Sequence, residues 1–79
     1  MKHSRPDYDR IQDPAGLIPE DEPVFLLRAQ DITAPDVLDH WVMLARDAGA
    51  DPKIVDQAKS QAQAMWDWQN VHGWKVPDS

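Results

Sequence analysis

Two groups of side chains in this sequence have the chemistry to hold a ligand or a partner. Arg28, Gln30 and Asp31 close the most apolar stretch of the chain, Val24-Phe25-Leu26-Leu27. A charged trio attached to such a stretch must be paired or solvated. Structurally, Arg28 reads as a bridge to Asp31 or Asp21 that fixes the preceding arm. Functionally, it is a guanidinium placed to grip a phosphate or carboxylate bidentately. The second group is Trp68, His72, Trp74 and Lys75, spaced Trp-x3-His-x-Trp-Lys. Indoles beside a cation suit anchoring at a protein interface or stacking on a base. They equally suit covering the end of a helical pair or a subunit contact. Four tryptophans against one Tyr and one Phe is an unusual balance. The other two, Trp41 and Trp66, fall within helical apolar arcs, where core packing accounts for them.

Catalysis has less to work with. The chain has no cysteine, and its serines are Ser4, Ser60 and Ser79. Ser4 and Ser79 sit near the ends, and Ser60 falls on the polar side of its helix. No Gly-rich phosphate loop, GxSxG or HExxH occurs. Asp36 and His40 stand one helical turn apart, on a polar face shared with Asp39 and Asp47. That spacing suits a metal, but a metal needs a third and fourth ligand held rigidly, and nothing nominates them. The face reads as solvated, with an (i, i+4) Asp–His contact; a small hydrolase or metal enzyme on Asp36, Asp39 and His40 is the competing reading. The expectation is a protein that is not an enzyme and has no cofactor or metal site.

The elements that position these residues come from a chain of 79 residues, which is one small domain (1–79) by size. With 42% apolar residues it has material for a core. Eight Lys+Arg against fourteen Asp+Glu give a net charge of −6. Such a field opposes duplex nucleic acid and anionic membrane surfaces, and leaves room for a basic protein partner or a small anion held locally by one or two cations. No apolar run is long enough to span a membrane or form a secretory core, so a cytoplasmic location is expected.

Punctuation divides the chain. Residues 1–22, with Pro6, Pro14 and Pro19 and a turn at Asp13-Pro14-Ala15-Gly16, read as an extended arm, partly disordered over its first ten or so positions. Tyr8, Ile11, Leu17 and Ile18 are its potential pins. Glu20-Asp21-Glu22-Pro23 has the acids and proline of a helix start, so 23–31 is expected to be a short buried helix. Its apolar run lacks any period that separates helix from strand. A strand there would need a partner, and the other strand-like piece, Trp74-Lys75-Val76, is short. Thr33 reads as the N-cap of a helix over 34–48, with Pro35 in its first turn and Asp36 at the capping-box position. Its apolar positions Val37, Leu38, Trp41, Val42, Leu44, Ala45 and Ala48 span an arc of about 160°. Asp51-Pro52 starts a second helix over 52–71, whose stripe Ile54, Val55, Ala58, Ala62, Met65 and Trp66 covers about 120°. Gly49 and Gly73 stop the two helices. The short connection makes them an antiparallel pair, and the class all-α. A core this small, without disulfide or metal, is marginal alone, so a homo-oligomer is expected.

From Pro19-Glu20-Asp21-Glu22-Pro23 through Val24-Phe25-Leu26-Leu27-Arg28-Ala29-Gln30-Asp31, the sequence resembles short uncharacterised proteins of phages and prophages. An Ala-Pro-led helix with a Trp, a Met-x-x-Trp and a Lys-Val-Pro-Asp tail extend the resemblance over residues 13–78. The resemblance implies a setting, not an activity: small acidic phage proteins are often inhibitors of host defence, acting in the host cytoplasm. The leading expectation is a non-catalytic binding protein that occludes a host defence protein through Arg28–Asp31 and Trp68–Lys75. One alternative is an oligomeric sponge that sequesters a small nucleotide signal. Another is a structural helical protein whose tryptophans serve only assembly.

Overall fold

Each helix begins with a proline in its first turn. In the computed structural model, which describes residues 13–78, α1 spans Ala34–Asp47 and α2 spans Pro52–His72. Asp51 caps α2 as expected, its carboxylate accepting from the Lys53 N–H at 2.9 Å. Gly49 adopts φ +84° just past α1, and the Ala50 N–H returns to the Ala45 carbonyl at 3.0 Å. This left-handed turn reverses the chain and lays α2 antiparallel on α1. Among the described residues there is no strand, and no helix is long and apolar enough to cross a membrane. The protein is all-α, a helical hairpin with an irregular N-terminal arm.

The buried positions follow the predicted stripes, but not their full width. Ala34, Pro35 and Val42 of α1 are buried, as are Val55, Ala62, Met65 and Gln69 of α2. The small Ala62 lies mid-stripe, as expected where two helices approach closely. The wide arc of α1 is only partly covered: Val37, Trp41 and Leu44 stay about half exposed. Trp41 is therefore not a core residue, contrary to its place in the arc. One neighbouring helix covers roughly 100° of a surface, so the far flank of a 160° arc is left in the open.

The expected helix over 23–31 does not form. The segment is a strap that runs extended and closes in a tight turn, where the Asp31 N–H meets the Arg28 carbonyl at 3.0 Å. Glu20–Pro23 is likewise a turn and not a helix start, with the Glu22 N–H on the Pro19 carbonyl at 3.1 Å. Nor is the strap fully buried, since Phe25 is 69% exposed. At its end the strap is instead held by the tail. The Lys75 N–H donates to the Gln30 carbonyl at 2.8 Å, and the Ile32 N–H to the Lys75 carbonyl at 3.0 Å. These bonds form a parallel bridge between Asp31 and Lys75. The short Trp74-Lys75-Val76 piece thus pairs with the end of the strap, at Gln30 to Ile32, and not with its apolar run.

The arm turns at Asp13-Pro14-Ala15-Gly16 as expected. Gly16 has φ +64°, and the Asp13 carboxylate accepts from the Leu17 and Ile18 N–H groups, both at 3.0 Å. Ile18 is half-buried, whereas Leu17 is 80% exposed and pins nothing. The readings of Tyr8 and Ile11 as pins, of Ser4 and Ser79, and of order in the first ten residues lie outside the described residues.

Gly73 sends the tail back toward the strap. Its φ of +82° and ψ of −176° belong to a region nearly restricted to glycine. A Cβ there would meet nothing within 4 Å, so Gly73→Ala adds backbone strain alone. It is expected to lower stability by about 1–3 kcal/mol and to loosen Lys75 from Gln30, measured by thermal melting with amide exchange. An unchanged melting point would contradict the role given to this glycine.

Candidate functional site

The two sequence clusters meet at one end of the hairpin, and a residue belonging to neither joins them. Gln69 lies in the apolar stripe of α2, one turn beyond Met65. Its Nε2 donates to the Ala29 carbonyl at 2.8 Å and to the Asp31 carbonyl at 3.0 Å. An amide nitrogen carries two protons, and both are used here. This is how a polar side chain can stay buried: among the described residues no buried side-chain nitrogen or oxygen lacks a partner. Gln69 was absent from the sequence candidates. The signal for it was a lone amide at a stripe position that helical spacing reserves for an apolar residue.

Asp31 is held from three directions. Its Oδ1 accepts from the Thr33 N–H at 2.8 Å and from the Thr33 hydroxyl at 2.6 Å. Its carbonyl also receives the Ala34 N–H at 3.0 Å. Thr33 occupies the N-cap position, but its side chain makes no capping bond. The expected capping box is replaced by an Asp31 turn that organises the start of α1, where the helix dipole favours a carboxylate. Asp31 therefore has a structural task as well as a place at the candidate surface. Gln30 contributes its backbone to the bridge. Arg28 is exposed, and its carbonyl closes the strap turn.

On the α2 side, Trp68 and His72 lie one turn apart with ring centroids 4.5 Å apart and planes at 29°. Trp68 is 40% exposed, and Trp74, just past the helix, is 58% exposed. The Lys75 ammonium reaches Asp78 at 2.9 Å in an exposed pair. The site thus combines two accessible indoles, one imidazole, a strap with an exposed guanidinium, and a lysine locally offset by an aspartate. Such a surface can anchor a protein partner through its indoles. It gives an anionic ligand little concentrated positive charge.

The other sequence candidates lie elsewhere. Asp36, Asp39, His40 and Asp47 are exposed on α1, and Ser60 is exposed on α2. Among the described residues no group of three or more His, Cys, Asp or Glu could hold a metal ion. No protein-family model matches the chain, and comparison with curated proteins and with solved structures gave no match.

Proposed function

We propose that this protein is a non-catalytic binding protein that occludes a basic surface of another protein with the strap–tail end of its hairpin. The observation that supports this reading is the convergence of Arg28–Asp31 with Trp68–Lys75 on one hydrogen-bonded framework, with the indoles of Trp68 and Trp74 open to solvent. Binding energy at interfaces concentrates in a few rigidly held aromatic and arginine side chains. The net charge of −6 would steer a basic partner toward the protein and repel nucleic acid. In the narrower form of the proposal, the resemblance to short phage and prophage proteins makes the partner a host defence protein. A nucleotide sponge fits less well, because Asp78 offsets Lys75 and Asp31 stands beside the strap turn.

Immobilised protein exposed to host lysate is expected to retain one stoichiometric basic partner. Trp74→Ala should weaken that complex by about 30-fold or more, the effect of losing an anchor of about 2 kcal/mol, without changing the helical content. A complex indifferent to Trp74→Ala would overturn the proposed surface. A rise of several degrees in melting temperature with one nucleotide of a broad panel, and no retained protein, would favour the sponge.

A further inference from the structure

The flank of α1 that α2 leaves uncovered forms one wall of a groove. About 460 Å³ in volume, it runs along the hairpin between Val37, Leu38 and Trp41 on one side and Ile54, Ala58 and Gln61 on the other. Leu27 of the strap and Gln57 also line it, and among the described residues no charged side chain does. In a chain that is 28% charged, this is an unusual place on the surface, and charge depletion is what marks the centre of an interface. Ile54 and Gln61 also stand seven residues apart on α2, with Trp68 a further seven beyond. This spacing keeps one seam facing a neighbouring helix.

We propose that a second copy of this chain occupies the groove, the two hairpins packing through identical faces into a four-helix arrangement with Trp41 of each copy set against the groove of the other. Three observations favour this occupant. First, the walls are half exposed: Val37 47%, Trp41 42% and Ile54 51%. Second, among the described residues the buried apolar side chains are Ala34, Val42, Val55, Ala62 and Met65 beside Pro35, and association is a way for so small a domain to bury more. Third, a face without charge can meet itself: a two-fold contact places like against like, which a charged face of this acidic protein would resist. The first twelve residues are a poorer occupant, because Lys2, Arg5, Asp7, Asp9 and Arg10 accompany their few apolar side chains.

Sedimentation equilibrium of the full chain decides the matter. At 100 µM the wild type is expected to have twice its 9.0 kDa chain mass. Association should tighten from low salt to 0.5 M sodium chloride, as repulsion between two acidic copies is screened. Trp41→Glu and Gln61→Lys, both at exposed positions, should each give one-chain mass with helical circular dichroism retained. Trp74→Ala, which lies outside the groove, should leave the dimer intact, so this proposal and the partner-binding surface fail separately. One-chain mass for the wild type, or a dimer that survives both groove substitutions, would overturn it.

Discussion

Replacing Gln69 with leucine is expected to destabilise the protein by about 2–4 kcal/mol, although leucine is apolar and close in size. The substitution removes both Nε2 donors: the Ala29 carbonyl is left without its partner, and the Asp31 carbonyl keeps only the Ala34 N–H. An orphaned buried acceptor costs about 1–3 kcal/mol. The strap can move outward and recover some hydration, which keeps the sum below the maximum. For a domain of this size, each kcal/mol shifts the melting temperature by about 4–8 °C. A fall of roughly 10–25 °C is therefore expected in a thermal melt. Burial alone gives the opposite sign, because leucine in an apolar stripe would then stabilise α2. A variant as stable as wild type would show that the amide does not hold the strap.

Met65→Ala is expected to have the next largest effect, about 2–4 kcal/mol. Met65 is 8% exposed and is the longest apolar side chain among the described buried residues. Truncation opens a cavity in a core with few other large side chains to close it. Met65→Leu keeps most of the volume and should stay within about 1.5 kcal/mol. Denaturant unfolding of the pair checks both figures. Equal stabilities for the two variants would mean that the packing around Met65 is looser than its burial indicates.

The hairpin was legible because its signals are local. Asp51-Pro52 starts α2, Gly49 and Gly73 end the helices, and the stripe from Val55 to Met65 repeats at helical spacing. The strap was not legible for the complementary reason. Val24-Phe25-Leu26-Leu27 has no period, and the groups that hold the backbone just after it, at Ala29 to Ile32, are Gln69 and Lys75, some forty residues away in sequence. Local acids and Pro23 imitated a helix start, and a distant hydrogen-bond partner overrode them. Thr33 misled in a smaller way: the cap position was right, but the carboxylate that organises it belongs to Asp31. Trp41 shows the limit of an apolar arc, which marks what a helix could bury and not how much one neighbour covers.

The candidate surface was half visible. Both clusters stood out by residue type, and nothing in their spacing showed that they adjoin. Their meeting depends on the turn at Gly73 and on one amide inside an otherwise apolar stripe.

Amide hydrogen exchange at Ile32 and Lys75 tests that meeting most directly, because each N–H is bonded across the strap–tail junction. Both amides are expected to be protected to a similar degree in the wild type. In Gln69→Leu both should lose protection together, while the amides around Val55 and Ala62 keep more of theirs. A Lys75 amide that exchanges in the wild type as fast as an unstructured peptide would contradict the account, for strap and tail would then not form one surface.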